Sequence, residues 1–281
     1  MTERGLFKRM VLGLPQSASD YAAVAAAAKL AELLGIGLAA TFVEDATLLN
    51  IAGLSCVREL RPLGGGWRQI SHDQLVREIE HAAETARRLF TEATQKCSVE
   101  TSFSLARGAA AQVLCSEATA KDILVIVEPK NPGERVTQQF TELLTAAFRA
   151  VSAVMIVPCR VAQVSGPIIA IAASSNDPAI SAAFELAAAA SEALVVVPLK
   201  GFNPHSTMAE RVASAGIRLK IAPALQRTPS ASVVAAGITG LKGRVIVMQR
   251  GIVDDAVPLA LASLCAIPVL IIEPDSSSTR D

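Results

Sequence analysis

The sequence predicts an α/β protein made of two tandem doubly wound parallel-sheet domains, and three observations predict it. The first is residues 121–158. The apolar run Ile123-Leu124-Val125-Ile126-Val127 is followed by a turn, then a helical span with Phe140, Leu143, Leu144, Ala147 and Phe148 on one side. The unit closes on Val154-Met155-Ile156-Val157-Pro158. Uninterrupted apolar runs on either side of an amphipathic helix read as strands buried on both faces, as parallel sheets require. The second is an echo of this unit at residues 243–274, where Val245-Ile246-Val247-Met248, a helix over about 254–264 and Val269-Leu270-Ile271-Ile272 follow in the same order. The third is composition: 51% hydrophobic but only 4% aromatic, so the core is aliphatic and small enough in cross-section for helices to lie close on a sheet.

Taken in order, residues 9–14 form a short apolar strand, and Pro15-Gln16-Ser17-Ala18-Ser19-Asp20 a turn with Ser17 or Ser19 as helix cap. An alanine-rich helix over 18–34 stops at Gly35, a residue suited to the left-handed position that ends helices. A second strand spans 36–43. Residues 44–68 are irregular, with a short helix capped by Asp45 and a Gly64-Gly65-Gly66-Trp67-Arg68 stretch read as a hinge. Ser71 and Gln74 open a capping box. The helix it starts, over 71–95, places Leu75, Ile79, Ala82, Ala86, Leu89 and Ala93 on one face. A third strand over 99–105, a helix over 109–120 and the unit at 121–158 complete a first domain, residues 1–162.

Residues 161–166 are too short a linker for free domain motion. The second domain, 163–275, repeats the order in shortened form. It has a strand over 167–172, a helix over 177–191 capped by Asn176 or Asp177, and a strand over 194–199. A short helix over 204–214, a strand over 217–221 and a helix over 230–239 lead into the echo. Residues 276–281 are a polar tail.

Charge is balanced, 26 basic against 26 acidic residues, with 17 of each sign in residues 1–162 and nine of each beyond. A nucleic-acid binder would carry a basic excess, so that class is set aside. Five scattered cysteines (Cys56, Cys97, Cys115, Cys159, Cys265) match neither a disulfide framework nor a zinc site and read as reduced thiols filling the interior. With no apolar signal region ahead of the first strand and no uninterrupted apolar helix, the expected location is the cytoplasm.

The strand–loop–helix–strand ending, closing on a Pro-Val-Leu-Ile-Ile type run and occurring twice, resembles the universal stress protein family, in its tandem two-domain form. The resemblance implies the Rossmann-like, adenine nucleotide α-hydrolase-like fold. In nucleotide-binding members it also implies an acidic residue after the first strand, and a Gly-x-x-Gly followed nine residues later by Gly-Ser or Gly-Thr after the fourth. Glycines there let backbone N–H groups close on phosphate at a helix N-terminus. In this sequence Pro15 falls at or near the acidic position, Glu128 and Asn131 at or near the glycines, and Leu143 stands ten residues past Gly133. The second domain has Ala173 after its first strand and Gln249-Arg250-Gly251, then Asp254 and Asp255, after its fourth. The nucleotide motifs are degenerate, and ATP is disfavoured as a cofactor. The crevice beyond the strand ends persists in any such fold, and Pro15, Gln16, Ser17, Glu128, Lys130 and Asn131 are its candidate lining.

Other constellations yield no chemistry. His72 and His81 stand nine residues apart on one helix and point to different faces, not to a shared metal; with His205 they read as surface or cap residues. Ser17, Ser19 and Asp20 have no local histidine to act as base. The expectation is a non-enzymatic stress-response or regulatory protein that binds protein partners, arranged as an internal pseudo-dimer and open to homodimerisation. The alternative is a small-molecule or nucleotide sensor using a diverged cleft. The expectation for residues 44–68 is mobility, with their apolar side chains either covering a cleft or partner site or docking on the second domain.

Overall fold

In a computed structural model, described for residues 7–14, 21–52, 54, 57–61, 66–69, 71–202, 215–226 and 228–274, the chain builds one ten-stranded sheet and a separate hairpin. Residues up to 157 supply β1 (Arg9–Leu14), α1 (Tyr21–Leu34), β2 (Gly37–Asp45), α2 (Ala46–Ala52), β3 (Arg58–Arg61) and β4 (Gly66–Gln69). After them come α3 (His72–Thr94), β5 (Thr101–Gly108), α4 (Ala110–Glu117), β6 (Ile123–Val127), α5 (Pro132–Arg135), α6 (Gln138–Ala150) and β7 (Ala153–Val157). The remainder supplies β8 (Ile168–Ala172), α7 (Pro178–Ala190), β9 (Leu194–Pro198), β10 (Leu219–Ile221), α8 (Ala231–Ile238), β11 (Val245–Gln249), α9 (Val257–Cys265) and β12 (Val269–Ile272).

The strand order is β10-β9-β8-β11-β12-β7-β6-β1-β2-β5. In each half the first strand lies between the second and the fourth, and neighbours are parallel. The junction alone reverses: β12 runs antiparallel to β7, with Leu270 opposite Met155. Every residue of β6, β7, β8, β9 and β12 is buried, which is why these strands read as unbroken apolar runs rather than alternating ones. One sheet face is covered by α1, α3 and α7 and the other by α4, α6, α8 and α9, with successive strand residues feeding opposite cores. Alanines of α1 and α7, among them Ala27 and Ala183 at 0% exposure, bring these helices against the sheet and against each other across the junction.

Several elements differ from the sequence expectation. The buried row of α3 is Ile79, Ala83, Ala86, Phe90 and Thr94, which shares Ile79 and Ala86 with the expected row but takes Ala83 and Phe90 in place of Ala82 and Leu89. Phe90 seats its ring 5.9 Å from that of Phe103 on β5, and Thr94 hydroxyl donates to the Phe90 carbonyl at 2.8 Å. The helix expected from 136 is two: Asn131 caps α5, accepting from Gly133 N at 2.9 Å, and Thr137 caps α6, accepting from Phe140 N. Residues 58–69, read as irregular, contain the antiparallel hairpin β3–β4, where Gly66 adopts φ 58°. The third strand runs on to Gly108, in register with β2 through Asp45. Cys97, Cys115, Cys159 and Cys265 are only half-buried, so these thiols flank the core rather than fill it. The expected helix over 204–214 and the tail lie outside the described residues, as do His205 and Cys56.

Helix boundaries were more legible. Gly35 ends α1 at φ 63°, Ser71 accepts from Gln74 N, and Asp177 caps α7. The Asp177 carboxylate is 1% exposed and accepts from Ala179 N at 2.9 Å and Ala173 N at 3.1 Å, pinning the turn as well as the helix. Burial pushes its pKa up, against the two N–H bonds. A raised folded-state value means the folded protein prefers the neutral carboxyl, so this group's contribution to stability is full below the ordinary Asp range and is lost as pH rises through the folded value. Asp177→Ala is expected to lower stability by about 1–2 kcal/mol through the lost cap, read as a lower urea midpoint at unchanged slope.

Candidate functional site

In an open parallel sheet the ligand crevice lies beyond the carboxyl ends of the strands where their order reverses. Here that happens twice, between β1 and β6 and between β8 and β11. Of the six expected lining residues, Pro15, Gln16 and Ser17 lie outside the described residues. Lys130 and Asn131 are exposed on the loop after β6, Asn131 engaged in capping α5.

Glu128 goes elsewhere. It is 1% exposed, and its carboxylate is drawn into the junction between the halves. It pairs with Arg135 Nη1 at 2.9 Å and accepts from Ser263 Oγ on α9. Arg135 also reaches the Pro129 carbonyl and Ser263 Oγ, each at 3.2 Å. The backbone after β6 is thus tied to a helix of the other half. After β11 the same place is taken by Arg250. Its Nη1 donates to the Phe148 carbonyl on α6 at 3.0 Å and pairs with Glu273, and its guanidinium lies 4.7 Å from the Phe148 ring centroid. Each half therefore sends the charged residue that follows its fourth strand into contact with the last helix of the other half.

The rest of the second crevice is made of Ala173, Ser174, Ser175 and Asn176, all exposed, above the buried Asp177. Asp254 lies at the entry to α9 and accepts from Ala256 N at 2.9 Å. Sequence reasoning passed over Arg135, Arg250 and Ser263. The available signal was a charge set directly against each apolar fourth strand, Val127-Glu128 and Gln249-Arg250.

A groove of about 630 Å³ lies between α4 and α6, lined by Cys115, Thr141, Thr145 and Arg149 among others. Its lining comes from α4 and α6 and includes none of the six expected crevice residues. Burial pushes the Cys115 thiol up, which disfavours the reactive thiolate. Past the end of β2, Ile51 on α2, Leu54 just after it and Trp67 on the hairpin are 40%, 54% and 66% exposed. His72 and His81 are exposed, as expected of surface positions. Among the described residues there is no group of three or more side chains that could hold a metal, and no helix is long and apolar enough to cross a membrane.

Fold and crevices define a doubly wound, Rossmann-like α/β protein. The same architecture occurs in a universal stress protein from Archaeoglobus fulgidus DSM 4304, at TM-score 0.67 and 12% identity over 98% of this chain and 99% of that one. It occurs also in a Pseudomonas aeruginosa UCBPP-PA14 protein provisionally designated a universal stress protein, at TM-score 0.54 and 16% identity over 96% and 95%. A functionally unknown protein from Pseudomonas aeruginosa PAO1 is similar to the same degree, covering 96% of this chain and 94% of its own. At these identities the likeness is one of fold. No family model and no curated protein matches the sequence.

Proposed function

We propose that this chain is a tandem protein of universal stress type that works without catalysis, in the cytoplasm, by binding protein partners. Its two repeats, divided near residue 162, serve each other as an internal pseudo-dimer, and their nucleotide motifs are degenerate. The observation that carries this reading is the engagement of Glu128 and Arg250 across the junction. A phosphate nest needs free backbone N–H groups on a pliant loop; a loop held by a buried ion pair and occupied by side chains is a poor substitute. The exposed apolar side chains of Ile51, Leu54 and Trp67 are those best suited to a protein partner.

Each lost charge-assisted hydrogen bond costs about 1.5–3 kcal/mol, so two or three weaken nucleotide binding by orders of magnitude. Calorimetric titration with Mg-ATP is expected to give a dissociation constant no tighter than about 1 mM. A one-site micromolar constant would overturn this reading. It would favour a second one, a small-molecule sensor, for which the exposed Ser174, Ser175 and Asn176 beyond β8 supply polar lining. Mass spectrometry of the denatured protein would then identify a retained ligand.

A further inference from the structure

The two outer edges of the ten-stranded sheet are built differently. At one end β10 has three residues, with Lys220 in the middle, a short charged edge of the kind that discourages pairing. At the other end β5 has eight residues, Thr-Ser-Phe-Ser-Leu-Ala-Arg-Gly, paired with β2 along its whole length. Its first six residues carry no charge, it holds no proline, and its register with β2 is unbroken by a bulge. The Glu100 carbonyl accepts from Leu38 N. Alternation along a parallel strand then turns the backbone groups of Thr101, Phe103, Leu105 and Arg107 outward. Among the described residues, no backbone hydrogen bond reaches that outer row.

We infer that a second copy of this chain docks on β5 edge to edge, antiparallel about a two-fold axis at Ser104, so that the two sheets become one. The strand is self-complementary in that register. Phe103 stands opposite Leu105 of the other copy twice, and both sit on outward-bonding positions, so the pairing uses the free backbone row. Leu105 is 48% exposed, a large apolar side chain on an edge with nothing over it in the described residues, and an aromatic–aliphatic pair is a favourable cross-strand contact.

The helix layer fits the same geometry. α3 covers β2 and β5, and Arg87 of α3 lies over the Phe103 ring at 5.2 Å. Joining two β5 edges sets the two α3 helices about two strand spacings apart, roughly 10 Å, which is an ordinary helix-packing distance. Glu84 and Arg87, 3.9 Å apart on that side of α3, bring both signs of charge to the seam, so neither copy meets a surface of like sign.

Sedimentation velocity of the full chain tests this. The wild type is expected to sediment at twice its 29.3 kDa, and backbone amides of Phe103, Leu105 and Arg107 to exchange more slowly as concentration rises. Leu105→Lys sets a lysine on the edge and diagonal to its symmetry mate. It is expected to raise the dimer dissociation constant at least about tenfold with unchanged far-UV circular dichroism. Leu264→Lys, at an exposed site on α9, is expected to leave the dimer intact. A monomeric wild type overturns the inference, as does a folded Leu105→Lys variant that remains dimeric. Should Leu105→Lys fail to fold, a wild-type dimer whose β5 amides gain no protection overturns it equally.

Discussion

Arg135→Ala is expected to destabilise the protein by roughly 3 kcal/mol, because it leaves a buried carboxylate without its cation. Glu128 is 1% exposed while Arg135 is about one quarter exposed, so the loss comes from the stranded carboxylate more than from the arginine. Ser263 continues to donate to Glu128 and keeps the cost below that of a fully orphaned charge. The measurement is a urea transition at neutral pH. The double variant Glu128→Gln with Arg135→Met is expected to recover most of the loss, since replacing both partners removes the buried charge altogether. A double variant as unstable as the sum of its singles would show that packing, not the pair, holds the loop to α9. Because the pair bridges the halves, Arg135→Ala should also loosen the junction, seen as faster amide exchange in β7 and β12.

Gly166→Ala is expected to cost a similar amount, roughly 3 kcal/mol, for a different reason. Gly166 enters β8 at φ 125°, a region open essentially to glycine. A Cβ there would meet the Lys242 carbonyl oxygen at 2.5 Å, which is backbone and has little room to move. Its N–H donates to Glu192 Oε1 at 3.0 Å, and Arg244 N donates to the adjacent Pro167 carbonyl at 2.9 Å, so the segment is held on both sides. Gly216→Ala provides the comparison. It has φ 67° but nothing within 4 Å of the added methyl, so only the conformational penalty of about 1 kcal/mol applies. Equal losses at the two positions would refute the steric argument.

The elements legible in the sequence were those whose signal is local. Ile123 to Val127 and Val269 to Ile272 could be buried strands and little else, since only a strand covered on both faces is apolar at every position. Ser71, Asp177 and Gly35 announced helix ends because capping is settled within a few residues by one side chain or one φ angle. The hairpin at β3–β4 was hidden because Gly64-Gly65-Gly66 weakens any periodicity, and a two-stranded ribbon needs only short segments. The α3 face was placed correctly at Ile79 and Ala86, with Leu75, Ala82 and Ala93 packed beside them, but its most buried positions fall on Ala83 and Phe90 because Ala82 and Ala83 are equally apolar. Phe103, about thirteen residues downstream of Phe90, decided which way the helix turned.

For the candidate site the balance is reversed. Sequence by itself determined only which residue types follow the first and fourth strands, Pro15 and Glu128 in one half and Ala173 and Arg250 in the other. Where Glu128 and Arg250 point was settled only in three dimensions: their partners, Ser263 and Phe148, lie 135 and 102 residues away, and no local preference encodes such a contact. The antiparallel meeting of β7 with β12 is what brings these groups together. It also leaves β5 and β10 as the outer edges of the whole sheet, since the strands that would otherwise end each half are consumed at the centre.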